Sequence, residues 1–219
     1  MIEFYNIFKT VGLFKDIKAS ELESLMICMG AYTKKVKKGK IILLAGSKPQ
    51  YIGVVLAGQI NIVRDDYDGN RSLLAAITPG QIFAEALCCA GIPESPVTVF
   101  AAVDSIVLLM GFSRIMQTCP SSCSFHTRLI GNMLGLLAQK NLMLQSRIEI
   151  IGLKSVRAKV LLYLESFFPK RGEEITIPFN REELANFLCI DRSALSHELA
   201  RMKNDGLIEY RKNVFVIKP

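Results

Sequence analysis

Histidine is scarce in this chain of 219 residues: there are only two, His126 and His197. Metal enzymes gather several imidazole or carboxylate ligands in one cavity, and two histidines so far apart supply no such set. A Gly-rich phosphate loop is missing, as is any nucleophile motif. Catalysis is therefore not expected. Half of the residues are hydrophobic, yet no apolar run reaches the length of a membrane span. The stretch MIEFYNIFKTVGLF carries an acid early and no basic cluster ahead of an apolar core. It does not read as a secretory signal, and a cytoplasmic protein without a membrane partner is expected. The six cysteines, Cys28, Cys88, Cys89, Cys119, Cys123 and Cys189, show no framework spacing. In a cytoplasmic chain most are expected to be reduced thiols.

What is present points elsewhere. The length suffices for two domains with a real core. The net charge of +7 is consistent with a polyanionic partner. The most informative stretch runs from Asn180 to Ile208. Asn180 is a good N-cap, and Glu183 completes a capping-box pair. Leu184, Ala185 and Leu188 fall on one face of a helix. Cys189 and Ile190 end it, and Asp191 can cap the next. The second helix buries Leu195, Leu199 and Met202, and leaves Arg192, Ser193, Ser196, His197 and Arg201 on the other side. Two short helices joined this way form the DNA-reading helix-turn-helix, with the second helix in the major groove. Arg192, near that helix's start, is the expected guanine reader. Ser193, Ser196 and His197 can reach bases or phosphates. The alternative is an ordinary helical hairpin with solvated polar residues. Gly206 can supply a left-handed C-terminal cap. Leu207–Tyr210, Arg211-Lys212-Asn213 and Val214–Ile217 read as strand, basic turn and strand, a β wing whose Arg211 and Lys212 meet phosphates. Arg181, at the start of the first helix, joins the expected DNA-binding set.

Upstream the period changes. The first 30 residues read as short helices, Ala19–Met26 being amphipathic. Val36, Ile41–Leu44, Ile52–Leu56, Ile60–Val63, Leu73–Ile77 and Ile106–Leu109 are short β-like runs. Gly39, Gly46, Gly58, Gly69 and Gly80 mark turns between them. This pattern predicts an antiparallel sandwich or jelly roll. Some jelly rolls host metal enzymes, but neither histidine lies in this one. From Ser124 to about Ile151 the apolar residues recur as Ile130, Leu134, Leu137, Asn141, Leu144, Ile148 and Ile151, a heptad seam with one polar member. The seam predicts a parallel two-helix dimer. Leu129, Met133, Leu136 and Met143 offer a second face toward the chain's own roll. Gly152 marks a hinge, and Ser155 to Phe168 reads as another amphipathic helix, stopped by Pro169 and Gly172. A short strand at Ile175–Pro178 leads into the helix pair.

The expected fold is therefore α+β: an N-terminal β jelly roll (1–120), a long dimerisation helix (121–151) and a C-terminal winged helix-turn-helix (152–219). This order resembles the cyclic-AMP receptor / fumarate-nitrate regulator (CRP/FNR) family of bacterial transcription factors. The resemblance rests on the Gly-punctuated roll, on Pro79–Ala86, and on Asn180–Ala185 with Arg192–His197. It implies a cyclic-nucleotide-binding-like roll and a homodimer on a palindromic promoter site in double-stranded DNA. It also implies a small-molecule effector that repositions the reading heads, and activation by recruiting RNA polymerase. The effector pocket implied is Phe83, Ala84, Glu85, Ala86 and Cys88 with Ser95, Val97 and Thr98.

Departures from the family pattern carry their own expectations. Cyclic-nucleotide binders have a Gly-Glu pair and then an Arg-Ser or Arg-Thr pair. Here Ala84-Glu85 keeps the acid and loses the Gly, and Ser95-Pro96 has no cation. Cyclic AMP is therefore not the expected effector, and the effector is unidentified. Ser193 and His197 replace the Glu and Arg that read the common half-site, so a different half-site is expected. Cys189 stands where the turn often has Gly. The N-terminal thiolate set of iron–sulfur members is absent. Cys88-Cys89, or Cys119 with Cys123, leave open a redox- or metal-sensing regulator of the same architecture. Structural thiols are the other reading. A regulatory module acting on a protein partner is a further alternative, against which the basic wing speaks.

Overall fold

The structure, a computed structural model, describes residues 5–117, 124–167 and 172–218. Cys119, Cys123, Phe168 and Pro169 lie outside them. The chain forms two compact units, Met1–Ala138 and Gln139–Pro219. The division falls inside one long helix.

The first unit begins with α1 (Tyr5–Thr10), a 3-10 turn (Gly12–Phe14) and α2 (Ala19–Cys28). Strands β1 (Tyr32–Val36), β2 (Ile41–Leu43), β3 (Tyr51–Ala57), β4 (Ile60–Asp65), β5 (Arg71–Ile77) and β6 (Ile82–Phe83) follow. After α3 (Glu85–Cys89) come β7 (Thr98–Ala101), β8 (Ser105–Gly111) and α4 (Phe112–Met116). Two four-stranded antiparallel sheets result, β1-β8-β3-β6 and β2-β7-β4-β5. Gly39, Gly46, Gly58, Gly69 and Gly80 all take positive φ at the turns. At Gly58 this has a packing reason as well, because a Cβ there would lie 2.4 Å from Ser105 Oγ. The periodicity of the sequence finds six of the eight strands and misses β6 and β7. β6 has two residues, too few to show a period.

β3 is buried along most of its length because both of its faces are covered. Ile52, Val54 and Leu56 pack with Leu108 and Met110 of β8 against α1, α2 and the long helix. Val55 points the other way, with Phe83, Val99, Val107 and Leu109, into the roll. Gly53 is required on that inner face, since a Cβ there would sit 1.9 Å from Phe83 Cζ.

The long helix α5 (Ser124–Gly152) is held to the N-terminal segment by polar contacts. Arg128 donates to Asp16 O (2.9 Å) and pairs with Glu21 (3.1 Å), and Asn132 Nδ2 donates to Leu13 O and Lys15 O. Leu129, Met133 and Leu136 join the helix-side core. Met143 does not serve that contact, being 72% exposed. Of the seam, Ile130 and Leu137 lean on the same core, whereas Leu134, Asn141, Leu144 and Ile148 are exposed on the single chain.

The second unit continues with α6 (Val156–Glu165), β9 (Glu174–Thr176), α7 (Arg181–Leu188), α8 (Arg192–Asn204), β10 (Ile208–Arg211) and β11 (Val214–Ile217). Ser155 caps α6, accepting from Ala158 N. Its core joins Val160, Tyr163 and Leu164 to Leu184, Leu188, Leu195, Leu199, Met202 and Phe215. The strands form a sheet of order β10-β11-β9.

Candidate nucleic-acid interface and effector pocket

The helix pair is built from its caps. Asn180 Oδ1 accepts from Glu182 N (2.9 Å) and Glu183 N (3.0 Å), while Glu183 Oε2 accepts from Asn180 N (2.8 Å). Cys189 ends α7 in the left-handed region, φ 52°. Ile190 N donates to Ala185 O and Cys189 N to Asn186 O, closing a Schellman turn with a residue other than glycine. Asp191 stands at the N-cap of α8, but its side chain makes no capping bond, contrary to the role read from sequence. Gly206 (φ 73°) closes α8 by the same kind of turn, Leu207 N donating to Met202 O.

Leu195, Leu199 and Met202 are fully buried. Arg192, Ser193, Ser196, His197 and Arg201 are all exposed on the opposite face. Ser196 Oγ donates to Arg192 O (2.9 Å), and Arg201 comes only within 4.0 Å of Glu198. The Arg192 and His197 side chains make no hydrogen bond or ion pair among the described residues. In the wing, Arg211 pairs with Val214, and Lys212 sits in the two-residue turn between them at φ 56°. The Arg211 and Lys212 side chains are exposed.

Three cations that fix this arrangement act inside the unit. Arg157 of α6 reaches Glu198 through Nε and Asp205 through Nη2 (2.8 Å), tying α6 to α8 at two points. Glu198 and Asp205 in turn hold the Arg157 guanidinium above its ordinary pKa, mainly by hydrogen bonding. Lys159 is buried and donates to Leu188 O (3.2 Å), placing a positive charge at the C-terminus of α7, where the helix dipole favours it. Arg181 stacks on the Tyr210 and Phe215 rings and donates to Lys212 O (3.2 Å). Its expected place among the exposed DNA contacts therefore needs restating: the guanidinium is occupied within the protein. Arg157 and Lys159 did not emerge from the sequence. Lys159, between Val156 and Val160 and four residues before Tyr163, interrupts an apolar helical face, and that was the available signal.

In the roll, a cavity of about 340 Å³ opens between the sheets. Its walls include Phe83, Ala84 and Leu109 with Ile42, Leu43 and Leu44 of the β2 segment. Ser47, Lys48, Gln50 and Tyr51 supply polar atoms. Only Phe83 and Ala84 of the sequence-derived pocket line it. Ala84 takes φ 63°, a conformation that favours the missing Gly, just before α3. Glu85 is buried and Ala86 exposed. Ser95 is buried, and its Oγ donates to Val97 O (2.7 Å), so the hydroxyl turns back on its own loop. Thr98 Oγ1 accepts from Ala45 N (3.2 Å). The cation at this cavity is Lys48, from a loop the sequence reading did not single out.

Cys88 lines a second cavity, of about 590 Å³, together with Tyr32, Tyr51, Lys48 and Arg114. Burial, and then the neighbouring Cys89 and Glu85, push its thiol up to about 11. Partial burial and Glu85 raise Cys89 as well. Both shifts disfavour the thiolate on which sulfur reactivity depends. Among the described residues no group of three or more His, Cys, Asp or Glu converges to hold a metal ion. Nor, among them, is any helix long and apolar enough to cross a membrane.

Residues 33–121 match the cyclic nucleotide-binding domain family, and residues 158–219 match the Crp-like helix-turn-helix domain family. Among solved structures the chain is similar to the c-di-GMP-responsive global regulator CLP of Xanthomonas campestris, at 15% identity and TM-score 0.55 over 92% of this chain and all of that one. It is also similar to DNR from Pseudomonas aeruginosa (18%, 0.52, over 98% and 93%). A third likeness is to the Thermus thermophilus catabolite activator protein (19%, 0.50, over 94% and 93%). No curated protein matches. At such identities the structures speak for the fold, and the two domain families, in this order on one chain, speak for the kind of protein. The chain belongs to the CRP/FNR family of transcription regulators, DNA-binding proteins with an effector-binding domain and no enzymatic activity.

Proposed function

We propose that this protein acts as a cytoplasmic homodimer on a palindromic promoter site, with α8 in the major groove and the Lys212 turn on the flanking backbone. The observation that carries this reading is the exposed face of α8. The Arg192 and His197 side chains make no hydrogen bond or ion pair there among the described residues, while the opposite face is locked by Leu195, Leu199, Met202 and the Arg157 bridges. Arg192 is the base reader. Ser193, Ser196, His197 and Arg201 reach bases or phosphates, and Arg211 and Lys212 meet phosphates.

The dimer forms along α5. Leu134, Leu144 and Ile148 are 63%, 59% and 65% exposed on one chain, and Asn141 lies among them. An apolar stripe of this kind calls for a partner, and a lone Asn favours one register. Two copies place the reading helices about 34 Å apart, one duplex turn. The effector is a small molecule in the roll cavity, with an apolar body and a group that accepts from Lys48. It favours one dimer arrangement over another through the end of α5 near Gly152. Recruitment of RNA polymerase follows as the mode of activation.

The test is a salt titration of the full chain on DNA selected from a random pool. Binding should weaken steeply with salt, and Lys212→Ala should reduce the slope by about one. Arg192→Ala should relax one base position at a cost of about 1–3 kcal/mol. Leu144→Glu with Ile148→Glu should give a monomer in sedimentation that no longer selects a palindrome. Salt-independent binding, or a wild-type monomer, would sink the proposal.

A further inference from the structure

The 590 Å³ cavity that Cys88 lines lies where four segments of the first unit meet. They are the turn from α2 into β1, the Lys48–Gln50 approach to β3, α3 with the turn after it, and the start of α4. Hydrogen bonds hold these segments together. Gly111 N donates to Met29 O (3.3 Å), Phe112 N to Gln50 O (3.0 Å), and the Cys88 thiol to Tyr51 O (3.6 Å). Met29, Leu87, Ile92 and Phe112 supply apolar wall. Tyr32 and Tyr51 meet edge to face with centroids 5.9 Å apart, and remain 45% and 41% exposed.

Two cations, Lys48 and Arg114, complete the lining, and no Asp or Glu is among its described walls. Neither side chain makes a hydrogen bond or ion pair among the described residues. Arg114 is nevertheless placed by packing. Its guanidinium lies over Gly30, where a Cβ would come within 2.7 Å of Nη1, and Gly30 takes φ 57°. A guanidinium laid across a turn, with no acid beside it, is a fork for a planar or tetrahedral oxyanion. Exposed tyrosine rings add flat apolar area that costs little rotamer entropy to order. A cavity of this size accepts an ordinary small molecule. We propose that it is a second ligand site, separate from the cavity between the sheets. It takes an aromatic molecule bearing a carboxylate or phosphate, with the oxyanion on Arg114 and the ring against Tyr32 and Tyr51. Neither the DNA reading nor the effector of the roll cavity is needed for this.

Lys48, Gln50 and Tyr51 line both cavities, so variants of them would not tell one from the other. Methyl groups do: Leu87 and Ile92 line only the larger cavity, Ile42 and Leu43 only the smaller. The experiment is a methyl-NMR titration of the full-length protein with 2-naphthoate and, separately, 2-naphthyl phosphate, each against the neutral 2-naphthamide. The naphthalene ring current should shift Leu87 and Ile92 and leave Ile42 and Leu43 in place. At least one anion should bind roughly ten- to a hundredfold more tightly than the amide, the range a charge-assisted hydrogen bond carries. The tighter of the two anions identifies the head group. Arg114→Gln should erase the preference for the anion, and Arg114→Lys should restore part of it. Should Arg114→Gln not fold, by circular dichroism, the anion-to-amide ratio on the wild type decides alone. Shifts confined to Ile42 and Leu43, no saturable shift at Leu87 and Ile92, equal affinity for anion and amide, or an anion preference untouched in Arg114→Gln would each overturn the proposal. DNA binding enters none of these readouts, so failure here leaves the DNA reading standing.

Discussion

The guanidinium carbon of Arg181 lies 5.1 Å from the ring centroid of Tyr210 and 5.5 Å from that of Phe215. Its Nη2 donates to Lys212 O, so one side chain binds the first turn of α7 to the tip of the wing. A stacked cation contributes about 0.5–1 kcal/mol at such a site, and the charged hydrogen bond adds to it. Arg181→Ala should lower the urea midpoint by the equivalent of about 1–2 kcal/mol with an unchanged slope. The salt dependence of DNA binding should change less than in Lys212→Ala. A full unit lost from the salt slope would instead make Arg181 a phosphate contact.

Cys189 adopts φ 52° at the end of α7, where a Cβ is unfavourable. Cys189→Gly should stabilise the second unit by about 0.5–1 kcal/mol, the relief of strain exceeding glycine's entropy cost. Cys189→Val should destabilise by about 1 kcal/mol or more, because a β-branched residue fits that conformation poorly. Thermal unfolding of the three proteins checks the order Gly above Cys above Val.

The Tyr163 hydroxyl is buried with no hydrogen-bond partner among the described residues, while its ring touches Phe167, Phe179 and Phe187. Burial pushes that hydroxyl up to about 12. The folded protein thus keeps a proton that an unfolded tyrosine gives up near pH 10. The associated stability is intact below about pH 10 and is lost as pH rises through the folded value. Tyr163→Phe should be neutral to about 1 kcal/mol more stable at pH 7, and its urea midpoint should fall less between pH 8 and 10.5. Tyr163→Ala, which also empties the ring site, should cost about 3–5 kcal/mol.

Cyclic AMP should not bind the roll in the micromolar range. Ser95 spends its hydroxyl on Val97 O, and no cation stands at its position to meet a cyclic phosphate. A charge-assisted hydrogen bond of that kind contributes about 1.5–3 kcal/mol, or roughly ten- to a hundredfold in affinity. Calorimetric titration giving a micromolar Kd would mean that Lys48, reaching the cavity from the opposite loop, does the work of the missing arginine.

The sequence was most readable where a feature depends on neighbours in the chain. The Asn180–Glu183 box, the buried stripe Leu195, Leu199 and Met202, the Gly206 cap and the glycine turns are all local, and each appears as its spacing implied. What escaped depends on contacts across elements. β6 shows no period because it holds two residues. Arg181 looks like any exposed basic residue until Tyr210, 29 positions later, lies beneath it. Lys159 finds the end of α7 and Arg157 finds α8, and neither pairing has a spacing rule. The family pattern implies an effector pocket around Glu85 and Ser95, and the cavity between the sheets is lined chiefly by the β2 segment and the Ser47–Tyr51 loop, which no local spacing announces.

Adjacent residues of β3 belong to different interiors: Val54 to the helix-side cluster, Val55 to the space between the sheets. β8 divides its side chains in the same way. The pair is a partition with a tenant on each side, and stiff backbone leaves it little room to yield to one without disturbing the other. A molecule that wedges against Phe83 or Leu109 therefore pushes on the footing of α1, α2 and α5, even though it touches none of them. Such a wall needs no hinge or relay of polar groups to report that the roll is full; thickness on one side is felt as displacement on the other.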